Sequence, residues 1–341
     1  MRQVFIIVEE FEYKIRRKKR EHTEFSKKFP VRLNHERLPS AEQCRRRSSI
    51  KNPHIEEMKE DVLYHLGLTT FNDDLQNMFG DVKFVCVGGT PERMMEFAQY
   101  VNEILRQNCS SDKELGNVSK SSRYALFKAG PVLCVSHGIG SPSISVVLHE
   151  IMKLMHHAGA QDPIFLRIGT CGGLGIPPGS VVISSDSVDG MLRPYQELLV
   201  LGQKVQRPST LDKELSKELL QVAKKHLKEC SVVVGRTMCA DDFYEGQGRL
   251  DGAFCDYSQD DKLSYLKRLR DEGVVNIEME SLTFAAMCQN AGVKGAVICV
   301  TFLDRLKDDQ VTASADILKM WQKRVLHLAA MYIKEKLNGE V

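Results

Sequence analysis

Two arginines and a threonine, each close to glycines, have the residue types and spacing that suit the binding of an oxyanion. Arg93 follows Gly89 by four residues, and Arg167 stands in an otherwise apolar run that continues into Thr170. Glycines let backbone N–H groups approach a ligand, while arginine and threonine side chains donate hydrogen bonds to phosphate oxygens. These four residues are therefore predicted to form a phosphate cradle. The alternative is that Arg167 only pairs with a buried carboxylate such as Glu280, because burying an unpaired guanidinium is costly.

A second candidate group, NIEME at 276–280, falls where a predicted strand meets a predicted helix. On a strand, Glu278 and Glu280 point to the same face. A carboxylate at this place can accept two hydrogen bonds from a vicinal diol such as that of ribose, and Met279 offers a soft apolar floor beside it. The alternative is an acidic residue that only complements the positive end of the helix.

The segment FYEGQGR at 243–249 combines side chains that can recognise a base. Phe243 can stack on a ring, the Gln247 amide can both donate and accept, and Arg249 can donate to a carbonyl oxygen. Together they suit a pyrimidine such as uracil, which presents O2, N3–H and O4. The alternative is an ordinary loop whose glycines only allow a tight turn.

Patterns for several other kinds of site do not occur in the sequence. It has no GxxxxGK(S/T) P-loop, and GTCGGLG is not a GxGxxG dinucleotide fingerprint. The ten cysteines include no C-x-x-C pair and no Cys/His cluster with zinc-ligand spacing. We therefore expect no disulfide framework, no metal site and the reduced thiols of a cytoplasmic protein. Cys171, beside the predicted cradle, is expected to be inert or, if the arginines lower its pKa, oxidisable.

The elements that must position these residues alternate between strands and helices. Apolar, β-branched runs predict strands, and amphipathic stretches between them predict helices, with a glycine turn at 169–173. Many strands are apolar on both faces, which favours a mostly parallel sheet covered by helices on both sides, with ligands beyond the carboxyl ends of its strands. The predicted strands are 81–87, 131–136, 163–168, 180–185, 231–239, 274–279 and 295–303, and the predicted helices are 91–105, 142–157, 211–228, 259–271, 281–290 and 314–337.

Charge divides the 341 residues unevenly. Residues 1–51 hold 15 Lys or Arg and 7 Asp or Glu, whereas the remainder holds 32 basic and 38 acidic residues. We expect a basic, disordered arm over 1–51 and one folded domain over 52–341. The alternative for the arm is a regulatory tail in which Ser48 or Ser49, after three arginines, is phosphorylated. A mildly acidic body argues against nucleic-acid binding, and no apolar run reaches the roughly 18 residues of a membrane span.

Four segments occur in an order and spacing that resemble the uridine-cleaving, vertebrate-type branch of the nucleoside phosphorylase-I family. They are GGTPERM at 88–94, RIGTCGG at 167–173, DFYEGQGRLDG at 242–252 and NIEMES at 276–281, and the resemblance covers about residues 60–338. It implies a three-layer α/β/α sandwich with a partly closed, mixed and mostly parallel central sheet. It also implies a pentosyltransferase that reversibly phosphorolyses uridine, and 2′-deoxyuridine, to uracil and the pentose 1-phosphate in pyrimidine salvage.

The same resemblance implies roles for individual residues, with inorganic phosphate as co-substrate and no cofactor. Arg123 and His65 match residues that a neighbouring subunit of a homodimer contributes, Arg123 to the phosphate and His65 to the ribose. Tyr124 stands where some relatives have a glutamate that binds a monovalent cation, so no such cation site is expected. The remaining matches are Gly89, Arg93, Arg167 and Thr170 for phosphate, Met279 and Glu280 for ribose, and Phe243, Gln247, Arg249 and Arg305 for uracil.

The expected mechanism relies on positioning and charge. Arg93 and Arg167 hold phosphate beneath the anomeric carbon, and Gln247 and Arg249 stabilise the uracil anion as the glycosidic bond breaks. Purine-specific relatives use an aspartate near the position that Arg305 occupies here, which favours pyrimidines. The alternatives are a purine nucleoside phosphorylase, a nucleosidase that needs no phosphate, a catalytically silent nucleoside-binding protein, and nucleic-acid binding through the arm.

Overall fold

The computed structural model describes residues 50–105 and 115–341. The predicted basic arm lies almost wholly outside the described residues, as do Ser48 and Ser49, so the boundary at residue 52 stays a prediction. Among the described residues, none of the helices combines the length and apolarity needed to cross a membrane.

An eight-stranded mixed sheet forms the middle layer, in the order β11-β10-β7-β12-β6-β3-β5-β4, and the helices cover both of its faces. This confirms the predicted α/β/α sandwich. The strands are β1 Val62–Leu63, β2 Leu68–Thr69, β3 Phe84–Gly88, β4 Leu126–Ala129, β5 Val132–Ser136, β6 Ile164–Gly173, β7 Val181–Val188, β8 Tyr195–Val200, β9 Gln203–Pro208, β10 Val232–Cys239, β11 Val274–Glu278 and β12 Gly295–Asp304. The helices are α1 His54–Glu57, α2 Leu75–Phe79, α3 Pro91–Leu105, α4 Ser141–Ala158, α5 Lys213–His226, α6 Gln259–Asp271, α7 Ser281–Ala291 and α8 Ala315–Leu337.

Strand β3 shows why the central strands are apolar on both faces. Val85 and Val87 pack in the core that includes α2, α4 and α7, whereas Phe84 and Cys86 pack in the core that includes α3, α5 and α8. Because successive side chains of a strand point to opposite faces, a strand covered on both sides has to be apolar at every position.

The direction of the strands changes at β12, which is parallel to β6 and antiparallel to β7. Strand β11 then pairs antiparallel with β6, with Ile277 opposite Gly172, and this pairing closes β6, β12, β7, β10 and β11 into a ring. Along an antiparallel pair, the residues that follow Ile277 lie beside the residues that precede Gly172. The closure therefore carries Glu278 and Glu280 toward Arg167.

One expectation from the sequence is wrong in detail, and one pair of strands has no counterpart in the sequence-based prediction. The expected glycine turn at 169–173 is the second half of β6, so Arg167 lies within a strand, opposite Val87 of β3 and Val297 of β12, rather than at a strand end. The hairpin of β8 and β9 was not predicted. Its turn places Leu201 and Gly202 at positive φ, and a leucine does not signal such a turn as Asn-Gly would.

Candidate active site

A cavity of about 310 Å³ opens where β6, β11 and β12 meet the segments that follow β3, β5 and β10. It gathers segments that are far apart in the sequence, and it contains most of the predicted site residues. Those that line it are Gly89, Arg93, Arg167, Thr170, Phe243, Gln247, Arg249, Met279, Glu280 and Arg305.

Arg167 is held by two carboxylates at the floor of this cavity. It is 2% exposed, and its Nη2 pairs with Glu278 at 2.7 Å and with Glu280. Burial alone would lower the pKa of Arg167, but the two carboxylates outweigh burial and raise that pKa well above its usual value. The ion pair that the sequence offered as an alternative to phosphate binding is thus present. It leaves Nε, which has no hydrogen-bond partner among the described residues, for a further acceptor.

The two glutamates of the NIEME segment have different surroundings. Glu278 accepts hydrogen bonds from the backbone N–H groups of Glu280 and Ser281 at 2.9 Å, so it is the acid that complements the start of α7. Glu280 accepts a hydrogen bond from the Gly140 N–H at 2.6 Å. Burial would raise the pKa of Glu280, but Arg167 and this N–H hold it below its usual value. Glu280 therefore presents an ionised carboxylate to the cavity.

Gly169 makes room for the guanidinium of Arg167. A Cβ atom at Gly169 would lie 2.6 Å from Nη1 of Arg167, well inside the van der Waals distance. Because residues i and i+2 of a strand share a face, only glycine at this position lets the arginine fold back over its own strand.

His137 follows β5 and lines the same cavity. Its place just after a predicted strand puts it among the residues expected near a ligand, but the sequence pattern assigned it no chemical role. It is 1% exposed, and neither ring nitrogen has a hydrogen-bond partner among the described residues. Burial, followed by the charge of Arg167, lowers its pKa to about 3, so the ring is neutral at physiological pH. A buried polar group of this kind is normally hydrogen-bonded, so His137 belongs with the groups that can contact a ligand.

Arg93 completes the basic side of the cavity. It is partly buried, and its Nε donates to Oε1 of Gln322 at 3.3 Å. Burial and the nearby charge of Arg167 lower the pKa of Arg93. Two guanidinium groups that repel one another in this way favour an anion between them.

The side chains predicted to read a base lie at the other end of the cavity. The guanidinium carbon of Arg249 lies 4.4 Å from the centre of the Phe243 ring. Nε and Nη2 of Arg249 each donate to the Asp251 carboxylate at 2.9 Å, which leaves Nη1 to donate to a carbonyl oxygen. Gln247 is 5% exposed, and its Oε1 accepts from Nη1 of Arg305 at 3.2 Å.

His65 and Arg123 do not line the cavity. Arg123 is exposed, and its neighbour Tyr124 lies 6.3 Å from the His65 ring, centre to centre. Glu150 of α4 fixes His65 by accepting from its Nδ1 at 2.6 Å. The two residues that the family resemblance assigns to a neighbouring subunit therefore both lie outside the cavity of their own chain.

The Cys171 thiol does not have the lowered pKa that would favour its oxidation. It is 7% exposed, and burial raises the pKa of its thiol well above the usual value. The sulfur that the arginine contacts is instead that of Cys299, which accepts a hydrogen bond from Nη1 of Arg167 at 3.2 Å.

The chain is similar to known proteins in sequence and in fold. The sequence profile described as the Phosphorylase superfamily matches residues 83–335, and the chain belongs to this superfamily. Uridine phosphorylase 2 of Mus musculus is 50% identical over 289 residues, which cover 85% of this chain and 90% of that relative. A crystal structure of uridine phosphorylase from Schistosoma mansoni in complex with thymidine has a TM-score of 0.81 and 40% identity, covering 85% of this chain and 99% of that chain. The inactive uridine phosphorylase B of the same organism is 39% identical and covers 85% of this chain and 97% of its own length.

Substituting Gly169 tests the close approach of Arg167. In Gly169→Ala the added methyl group displaces the guanidinium, so we expect affinity for inorganic phosphate to fall at least about tenfold by calorimetry. Gly116→Ala is the matched control, because a Cβ atom there meets nothing within 4 Å. Equal phosphate affinities of the two variants would contradict the prediction.

Removing Arg167 tests the buried ion pairs. Arg167→Ala leaves Glu278 and Glu280 facing one another without a cation, so we expect the free energy of unfolding to fall by about 3–5 kcal/mol in denaturant titrations. The control is Arg93→Ala, which removes a guanidinium whose hydrogen bond is to Gln322 and which forms no ion pair with a carboxylate within 4 Å among the described residues, and it is expected to cost about 1 kcal/mol. Similar losses in both variants would show that the ion pairs contribute little to stability.

Proposed function

We propose that the cavity of this chain carries out the reversible phosphorolysis of uridine, and of 2′-deoxyuridine, to uracil and the pentose 1-phosphate. Uridine phosphorolysis is the activity that the names of the relatives at about 50% identity indicate, and it makes the chain a pentosyltransferase of pyrimidine salvage. One observation carries the assignment of the site. Donors for an oxyanion, an ionised carboxylate and an amide beside an arginine all line a single cavity of about 310 Å³.

Phosphate fits the basic side of the cavity. Gly89, Arg93, Arg167 and Thr170 line it, all can donate to phosphate oxygens, and Nε of Arg167 has no partner among the described residues. A phosphate held there is placed to attack the anomeric carbon, so that much of the rate comes from positioning. Since attack and departure occur on opposite faces of the sugar, we expect the α-configured 1-phosphate.

Ribose and base then extend from the phosphate. Glu280 can accept hydrogen bonds from the ribose hydroxyls, and Met279 lines the cavity beside it. As the bond from C1′ to N1 breaks, its electron pair moves onto uracil and positive charge grows on the ribose. Gln247 and Arg249 stabilise the uracil anion, whereas the carboxylate and the phosphate stabilise the cationic sugar.

Purine cleavage is less well supported, because the carboxylic acid at the end of β12 does not face the cavity. Asp304 does not line the cavity and accepts hydrogen bonds from the N–H groups of Gly175 at 2.9 Å and Leu306 at 3.1 Å. Arg305 lines the cavity instead, and its fixed positive charge suits the O2 or O4 of a pyrimidine.

The proposal includes a homodimer in which each site borrows Arg123 and His65 from the partner. Both residues lie outside their own cavity, and the His65 ring lies 6.3 Å from that of Tyr124, the neighbour of Arg123 in the sequence, which supports this arrangement. We also propose a cytoplasmic location, because all of the described cysteines are free thiols. No cofactor is proposed beyond phosphate as co-substrate.

The decisive experiment measures uracil release from uridine by the purified full-length chain, with and without inorganic phosphate. We expect release only with phosphate, together with ribose 1-phosphate. Release without phosphate would indicate a nucleosidase. Saturable uridine binding without release would indicate a silent binding protein, an outcome that the inactive Schistosoma relative makes worth testing.

Mixing two inactive variants tests whether the site is shared between subunits. Arg93→Ala damages a subunit's own site, whereas Arg123→Ala damages the site of its partner. In a hybrid dimer, one site contains both arginines and the other contains neither. Unfolding and refolding an equal mixture is therefore expected to restore about a quarter of the wild-type rate. No gain over the separate variants would contradict the shared site, and refolded wild-type protein is the control.

A further inference from the structure

The amide of Gln247 has only one orientation that its surroundings allow. Arg305 is fully buried, and it donates from Nη1 to Oε1 of Gln247 at 3.2 Å and from Nη2 to the Gln247 carbonyl at 3.0 Å. A guanidinium carries donors only, so the amide atom that faces it has to be the oxygen. A flipped amide would place two N–H donors against the arginine.

Asp309 holds Arg305 in place. Its Oδ1 accepts from Nε of Arg305 at 3.1 Å and pairs with Nη2 at 3.0 Å. Its Oδ2 pairs with Nζ of Lys262 on α6 at 2.7 Å and accepts from the Leu250 N–H at 3.0 Å. The Asp309 carbonyl accepts a further bond from Nη2 of Arg249. Asp309 thus contacts both arginines at the base end of the cavity, while its own side chain lies outside the cavity lining.

These contacts keep Asp309 ionised. Burial alone would raise its pKa, but Lys262, the Leu250 N–H and Arg305 outweigh burial and hold the pKa below its usual value. The backbone of β6 also limits Arg305, because a Cβ atom at Gly172 would lie 2.6 Å from Cγ of Arg305. The arginine is therefore confined between a charged partner and a glycine.

We propose that Asp309 is a positioning residue that fixes the Gln247 amide through Arg305 and thereby sets the preference for uracil over cytosine. The inference rests on the proposed function of the site. With Oε1 held toward Arg305, its second lone pair can accept from N3–H of uracil, and Nε2 can donate to a neighbouring carbonyl oxygen. The amide then matches the adjacent donor and acceptor of the uracil edge.

Cytosine presents the wrong pattern to the same amide. Its N3 is an acceptor, so it would face the lone pair of Oε1, and its C4 carries a donor rather than a carbonyl. Recognition of cytosine would need the amide to flip, which Arg305 opposes. A site that leaves polar groups mispaired in this way rejects the wrong substrate strongly.

The test compares uridine with cytidine in the full-length enzyme. In Asp309→Asn, Arg305 loses its charged partner and the amide can turn. We expect the KM for uridine to rise about tenfold, whereas the KM for phosphate is expected to change less than about twofold. We also expect the ratio of the cytidine inhibition constant to the uridine KM to fall at least about tenfold. A general loosening of the packing would not raise the KM for uridine while leaving the KM for phosphate nearly unchanged.

Lys262→Met is the matched control, because it removes the other cationic partner of Asp309 and leaves the bond to Arg305. It is expected to keep the wild-type ratio. Asp309→Asn exposes Lys262 and Arg305 to one another, so the double variant Asp309→Asn/Lys262→Met, which removes one cation, keeps the test available if the single variant does not fold.

Two results would overturn the inference: an unchanged ratio in the aspartate variants, or an equal rise in the KM values for uridine and phosphate. Failure of the wild-type protein to phosphorolyse uridine would overturn the proposed function instead, so the two failures are distinguishable.

Discussion

The site depends on one buried cation. Arg167 lies within a strand of the central sheet, where a guanidinium is stable only if it is paired, and Glu278 and Glu280 supply the pairing. These glutamates reach it because β11 runs antiparallel to the second half of β6. The reversal of strand direction at β12 and the closure of the ring are therefore what bring the cation and its two carboxylates together. Gly169 supplies the remaining space on the strand itself.

The two ends of the cavity differ in how completely their polar groups are bonded. At the end proposed to bind the base, Arg249, Arg305 and Gln247 are already held by fixed partners, so their donors and acceptors point in set directions. At the end proposed to bind phosphate, Nε of Arg167 and both ring nitrogens of His137 have no partner among the described residues. Preorganised groups at one end suit discrimination between ligands, and an unpaired buried donor beside two guanidiniums suits contact with an anion.

Local patterns predicted much of the fold and the cavity, whereas long-range pairing escaped them. Helices α3 and α6 were predicted with the bounds that the structure shows. The proline at the start of α3 and the charged amphipathic run of α6 are both local signals. The glycines at 169–173 were misread as a turn, since nothing local shows that this stretch continues β6, pairing with β12 along its length and with β11 at Gly172 and Gly173. Asp309 stands in a polar loop among other charges, and only the folded contacts distinguish it. His137 directly follows a predicted strand, which placed it near the expected ligand, but nothing in the sequence showed that its ring would be buried without a partner.

The charges around the phosphate end explain why a further arginine from a partner fits the proposed reaction. Arg93, Arg167, Glu278 and Glu280 together sum to zero, and His137 is neutral because its pKa is about 3. A phosphate dianion would make this buried region strongly negative, which is costly without a counter-charge. Arg123 of a partner would offset part of that charge and leave a negative remainder beneath the sugar. Positive charge that develops on the ribose would then be stabilised where it forms. The same negative charge that opposes phosphate binding therefore favours the transition state.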